Sequence, residues 1–222
     1  KPLHELAGPG VADLDFTSAL DPDVPVDALI DFSGAAGFDA ALALALERRA
    51  AFVSGSTGLS LAQHEMLARA AQAIPALWAS NFSLGVALLM RFARQAGRIL
   101  ADWDCEIVEI HHRRKLDAPS GTALSLGETV AAGRDATLVN MARHGRSGQL
   151  GLRPSGEIGF HALRGGDVVG EHVVIFAGDG ERLELGHRAG DRDIFARGAL
   201  LAATRLVDRA PALYAMDDVL DA

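Results

Sequence analysis

Short apolar runs alternate with longer helical patterns through the first third of the chain. Asp27-Ala-Leu-Ile-Asp-Phe32 and Ala51-Phe-Val-Ser54 have the length and content of buried strands, and residues 35–49 between them carry a helical pattern rich in Ala and Leu. Strand, helix and strand in that order is the grammar of a parallel βαβ unit. A second helix begins after Ser60, where Gln63 stands at the capping-box spacing, and Ala76-Leu-Trp-Ala79 reads as another buried strand of the same parallel sheet. From Ser83 the pattern is amphipathic, with Val86, Leu89, Met90, Ala93 and Leu100 on one face and Arg91, Arg94, Gln95 and Arg98 on the other. That stripe predicts a helix laid on a core.

Past Cys105 the period changes. Residues 105–110, 157–164, 169–176 and 182–187 are extended segments, and Gly165-Gly-Asp167 and Gly178-Asp-Gly180 are turn signals between the last three. Together they predict a second domain built on an antiparallel meander. Residues 142–155, rich in Gly, Arg, Ser and Pro, read as a mobile surface loop, and a closing helix over 194–210 is ended by Pro211.

Composition narrows the class. An apolar content of 49% over 222 residues supports buried cores. No apolar run approaches the roughly 20 residues that cross a bilayer, and Lys1-Pro-Leu-His-Glu5 lacks the pattern of a secretion signal. With Cys105 as the only cysteine, neither an internal disulfide nor a thiolate metal cage is available, and a cytoplasmic address is expected. The net charge of −8 argues against nucleic acid as a partner, since such binding needs a dense basic surface. Against that acidic background His111-His-Arg-Arg-Lys115 stands out, either as a solvated face or as a local anion site.

The residues just after this cluster favour an anion site. Asp117-Ala-Pro-Ser-Gly-Thr122 is a turn leading into a helical pattern, and the free N–H groups at a helix start attract carboxylate or phosphate. Gly121 would let a ligand approach the backbone, while Ser120 and Thr122 would either donate hydroxyl hydrogen bonds or cap their own helix. His111 and His112 are adjacent on an extended segment and are expected to point to opposite sides, which argues against joint chelation of one metal. A histidine at that strand end beside Lys115 is suited to proton transfer, with a hydrogen-bonded structural role as the alternative. The elbow G-x-S-x-G of serine hydrolases is absent, and His161, His172 and His187, on the predicted meander, read as structural or interface residues, so no metal is expected.

The run Glu109 to Ala123 matches without a break the pattern E-x-H-H-x-x-K-x-D-A-P-S-G-T-A, and the chain thereby resembles the 4-hydroxy-tetrahydrodipicolinate reductases. Further matches lie at Ile30-Asp-Phe-Ser33, Gly55-Ser-Thr-Gly58, Ala79 to Val86, Arg164 to His172, Arg192 to Ala199 and Asp217 to Leu220. The resemblance implies an α/β fold: a Rossmann-type parallel-sheet nucleotide domain over 1–82 and 193–222. Into it is inserted an α+β substrate and tetramerisation domain of mixed sheet over 83–192. It implies hydride transfer from NADPH or NADH to a cyclic dicarboxylate, with His111 as proton donor and Lys115 as second donor and charge partner. His112, Ser120, Gly121 and Thr122 would meet the substrate carboxylates. Gly55, Ser56, Thr57 and the run Ala79, Ser80, Asn81 and Phe82 would hold the cofactor at strand ends. The implied assembly is a homotetramer.

One family feature has no counterpart. The glycine turn G-x-G-x-x-G that seats a dinucleotide pyrophosphate occurs nowhere here, and Gly8-Pro-Gly10 followed by Val-Ala-Asp fails the spacing. By the resemblance, that turn and the ribose-reading residue lie upstream of Lys1, which leaves NADH against NADPH undecided. The expectation is therefore an N-terminally incomplete nucleotide domain of an active enzyme, with a truncated, non-catalytic tetrameric module that binds dicarboxylates as the alternative.

Overall fold

The protein is described here from a computed structural model covering Thr17 and residues 21–221, so Gly8-Pro-Gly10 lies outside the described residues. Four strands form a parallel sheet in the order β1 (Ala28–Asp31), β2 (Ala51–Ser54), β3 (Pro75–Trp78) and β9 (Ala212–Tyr214). Helices α1 (Ala35–Arg48) and α2 (Leu61–Ala70) connect the first three. The expected capping box is present: Ser60 Oγ accepts from the Gln63 N–H, and the Gln63 side chain accepts from the Ser60 N–H. The Gln63 amide also donates to the Ala35 carbonyl and to Asp39, which ties α2 to α1.

Alternation along β2 decides what each face buries. Phe52 joins Phe38, Leu42, Leu67 and Ile74 under α1 and α2, while Ala51 and Val53 join Leu77, Ala202, Leu206 and Val219 on the opposite face. Both faces of the sheet are therefore covered, as parallel sheets require. The second cover is supplied by the C-terminal α5 (Asp193–Leu206) and α6 (Met216–Leu220), so the chain leaves this sheet after β3 and returns to it after β8. The closing helix stops at Leu206, short of the expected Ala210, because residues 207–211 turn the chain into β9, a three-residue strand too short to register as a pattern.

A Cβ at Gly198 on α5 would lie 1.8 Å from the carbonyl oxygen of Phe82, a backbone atom with no rotamer in which to escape. Gly198→Ala should therefore push α5 off the loop after β3, at a cost of about 1–3 kcal/mol typical of overpacking. A lowered midpoint in chemical denaturation is the expected result, and a wild-type midpoint would contradict this seating.

The excursion begins with α3 (Leu84–Ile99) and builds a five-stranded mixed sheet. Its members are β4 (Asp104–His111), β5 (Ala142–His144), β6 (Ile158–Arg164), β7 (Gly170–Gly178) and β8 (Glu181–Ala189), in the order β5-β6-β4-β7-β8. The expected meander is corrected here. β7 and β8 do form an antiparallel hairpin, but β6 runs parallel to β4, and β4 lies between β6 and β7. Helix α4 (Gly121–Gly133) supplies the crossover from β4 toward β6. The turn after β6 passes over the end of β4, where Gly165 N–H bonds to the His111 carbonyl and His112 N–H to the Val168 carbonyl.

The expected loop over 142–155 contributes β5 at its start, and its arginines are fixed. Arg146 and Arg153 meet Glu106 at 2.8 and 3.0 Å, and His161 meets it at 2.7 Å. Burial of Glu106 opposes its ionisation, yet the bonds from Arg146, His161 and Arg153 hold its carboxyl down to about 2. On the other face of this sheet α3 and α4 pack against Cys105, Ile107, Ile158, Phe160, Val174 and Phe176. The stripe expected on α3 faces this core through Leu89 and Ala93, with Met90 and Leu100 partly buried against it.

Candidate active site

The face of β4 that begins with Cys105 and Ile107 in the apolar core continues, at the same period of two, with Glu109 and His111. The sheet register then assembles a polar end on that face. β7 sets His172 opposite Glu109, β8 sets His187 opposite His172, and β6 sets Arg164 opposite His111.

Glu109 is the centre of this group and only 1% exposed. Its Oε2 lies 2.5 Å from His111 Nδ1, and the Arg164 guanidinium donates to both carboxylate oxygens at 2.7 and 2.8 Å. The Ser120 N–H completes the shell at 3.0 Å, and Arg164 also donates to the Asp117 carbonyl at 2.6 Å. Burial works against the charge on Glu109, but the bonds from Arg164, His111 and Ser120 outweigh it and hold the carboxyl below its usual range. A buried charge survives when it is paired in this way.

His172 packs against His111 with ring centroids 5.1 Å apart, and its Nε2 lies 3.1 Å from Ser120 Oγ. Burial, reinforced by the neighbouring His111, pushes its pKa down to about 4, so this ring stays neutral near pH 7. Ser120 also caps α4 by accepting from the Ala123 N–H, so its hydroxyl is turned to the interior. Gly121 is exposed, with open space where a side chain would stand, and Thr122 lines the adjoining cavity and accepts from the Asn81 amide at 3.1 Å.

That cavity, of about 970 Å³, separates the polar end of the mixed sheet from the carboxyl ends of the parallel strands. His111, His112, Lys115 and Thr122 line one wall, with His172 and His187, while Gly55, Thr57, Ala79, Ser80, Asn81 and Phe82 line the other. Lys115 reaches Asp117 at 2.8 Å, and Arg113 and Arg114 are exposed, so only part of the basic run turns inward.

Ser56, Ser120 and Gly121 are not among the lining residues. Ser56 instead donates to Asp31 and accepts from the Gly34 N–H, both at 2.8 Å. Asp31, which sequence reasoning missed, also accepts from Ser33 and Ser54 and fixes the loops after β1 and β2. Burial opposes its ionisation, and these hydrogen bonds reverse the effect and keep its carboxyl low. His172, His187 and Arg192 are further lining residues that local pattern did not reveal, and Arg164 joins the site behind the cavity wall through its bonds to Glu109; strand pairing and helix packing bring these groups together. Glu109 alone carried a usable signal, because it stands two residues before His111 on one strand.

The strand-end wall suits a planar nucleotide cofactor. The Phe32 ring lies over Gly55 so closely that a Cβ there would meet it at 2.2 Å, and Phe32 and Phe82 stand 5.4 Å apart at the cavity. Such an aromatic pair beside loop amides at the carboxyl ends of parallel strands offers a surface on which a flat ring can lie. Among the described residues no cluster of three or more His, Cys, Asp or Glu side chains is arranged to hold a metal ion.

Comparison with known proteins gives one answer over both sheets. The family model for the N-terminus of dihydrodipicolinate reductase matches residues 4–82, and that for its C-terminus matches residues 85–220. The chain is 50% identical over 200 residues to a 4-hydroxy-tetrahydrodipicolinate reductase of Stenotrophomonas maltophilia (strain R551-3), covering 90% of this chain and 75% of that protein. To its counterpart in Parvibaculum lavamentivorans it is 51% identical over 195 residues, covering 87% and 72%. A dipicolinate-bound dihydrodipicolinate reductase from Paenisporosarcina sp. TG-14 shares the fold, with a TM-score of 0.70 and 24% identity over 85% of this chain and 71% of that one.

Proposed function

This chain belongs to the dihydrodipicolinate reductase family, and from that premise we propose how its cavity performs the family's reaction. The protein is an NAD(P)H-dependent reductase that converts 4-hydroxy-tetrahydrodipicolinate to tetrahydrodipicolinate, a step of diaminopimelate and lysine biosynthesis. The net change adds a hydride and a proton and releases water. The observation that carries the assignment of roles is the cavity itself, in which His111, Lys115 and Thr122 face the strand-end loops 55–57 and 79–82.

In this reading Gly55, Thr57 and Ala79 to Phe82 hold the cofactor, with Ser56 fixing the first loop through Asp31. The reduced nicotinamide supplies the hydride. The start of α4 receives a substrate carboxylate: its first N–H groups have no intrahelical partner, the helix dipole favours an anion, and Thr122 and His112 stand beside it. Hydride arrival builds negative charge on the substrate ring. His111 then delivers the proton, and the Lys115 cation stabilises that charge more in the transition state than before it. Ser120 acts from behind, by capping the helix that carries the cradle.

Residues 1–82 and 193–222 form the nucleotide-binding unit in this scheme, and 83–192 the substrate and oligomerisation unit. A cytoplasmic homotetramer is the assembly proposed, built on the mixed sheet, whose outer strand β8 is largely exposed in the single chain. Among the described residues no helix is long and apolar enough to cross a membrane.

The test is substrate-dependent loss of nicotinamide absorbance when the purified protein is given freshly made 4-hydroxy-tetrahydrodipicolinate with NADPH and, separately, with NADH. Turnover with either supports the reading. No turnover with both, together with calorimetric binding of pyridine-2,6-dicarboxylate and no affinity for nicotinamide, would establish the non-catalytic module instead.

A further inference from the structure

We propose that Glu109 and Arg164 are a pair of opposed positioning residues that fix which nitrogen of His111 gives up its proton and set the pH at which it does so. The inference rests on the proton-donor role given to His111 above.

The geometry leaves little freedom. An ionised carboxylate is an acceptor only, and the oxygens of Glu109 are met by Arg164, the Ser120 N–H and His111 Nδ1. Nδ1 must therefore carry a hydrogen in both the charged and the neutral ring. The proton that comes and goes is the one on Nε2, and that atom is on the ligand side. A Cβ on Gly170, which lines the cavity, would lie 2.9 Å from His111 Nε2. After proton release the ring is left as the Nδ1–H tautomer, still bonded to Glu109, with Nε2 free to be recharged.

The second half of the pair is Arg164. A lone carboxylate against Nδ1 would stabilise the imidazolium strongly and make it a reluctant donor. Arg164 occupies both oxygens of the same carboxylate and offsets much of that attraction. The groups facing His111 from the surrounding elements are Glu109 on β4, Arg164 on β6, His172 on β7, His187 on β8, Lys115 and Asp117 on the following loop, and, across the cavity, Arg192 at the start of α5. His172 is kept neutral by burial, and Lys115 is paired with Asp117, which leaves the carboxylate and guanidinium as the dominant and opposite influences.

Opposite signs give the test. Where the protonated form of a donor is required, kcat/KM falls as pH rises through its ionisation. Glu109→Gln removes the anion, so that fall should move to lower pH by about one pH unit or more, the size expected for one adjacent charge, with kcat lowered on the order of tenfold. Arg164→Met leaves the anion unopposed and should move the fall to higher pH by a similar amount. Arg164→Lys, which restores the charge, should return it toward wild type. A role confined to folding would move neither profile, or both in one direction, and either result overturns the proposal.

An independent readout needs no turnover. In ¹⁵N spectra of histidine-labelled wild-type protein at alkaline pH, neutral His111 should carry its hydrogen on Nδ1. A ring protonated on Nε2 would overturn the clamp even where the Glu109 variant fails to fold. Absence of any reductase activity in the wild type, with the Nδ1–H tautomer present, would instead count against the reductase reading and leave the clamp standing.

Discussion

Replacing His111 by glutamine is expected to lower kcat by about 10²–10⁴, the range that a positioned proton donor contributes, without unfolding the protein. The second half of that expectation comes from the site's own bonding. Glu109 is a buried charge, and removing a sole partner from a buried charge is strongly destabilising. Here the carboxylate would keep both bonds from Arg164 and the one from the Ser120 N–H, so it would not be left unpaired. Steady-state nicotinamide consumption and a denaturation midpoint, measured on one preparation, separate the two effects. A variant that folds and turns over at the wild-type rate would remove His111 from the role of donor.

How much of this could be read from sequence depends on the range of the interactions involved. The parallel sheet was legible because β1, β2 and the helix between them are contiguous, and β2 is buried along its whole length, so nearly every residue carries the apolar signal. The α3 stripe was legible for the same local reason. β9 was not, since three residues with mixed burial make no pattern. The meander failed for a different reason. Gly165-Gly-Asp167 does mark a turn between β6 and β7, but a turn signal says only that the chain reverses. It cannot say that β4, more than forty residues earlier, has been inserted between the two strands.

The same limit applies at the site. The Glu109 to Thr122 segment was found because its residues are near one another in sequence, and the structure brings His111, Lys115 and Thr122 to one cavity. Arg164 and His172 belong to that group through register alone. Shifting β7 by one residue against β4 would send His172 to the opposite face and leave Glu109 facing Glu171 or Val173. Ser120 had two readings in the sequence, and the capping one describes its geometry, with the hydroxyl turned toward His172. Ser56 likewise faces inward, to Asp31. The polar end of the mixed sheet thus lies between pairing that places its groups and a helix start that closes it.

Lys115→Met should lower kcat/KM by on the order of 10²–10³, as loss of one fixed electrostatic donor does, with kcat carrying a large part of the fall. Methionine keeps most of the stem length and removes only the cation. Two mechanisms could produce such a loss, and the neighbour of Lys115 separates them. Its Nζ lies 2.8 Å from Asp117 Oδ1, and that hydrogen bond holds the Asp117 carboxyl below its usual range. Removing the lysine therefore also uncovers an anion at the mouth of a cavity that must admit a dicarboxylate, which by itself raises KM. The double variant Lys115→Met with Asp117→Asn removes that repulsion. If Lys115 serves only to neutralise Asp117, the double variant should regain wild-type kcat and KM together. If Lys115 stabilises charge developing on the substrate ring, KM should recover while kcat stays low, because no other group replaces a cation needed in the transition state.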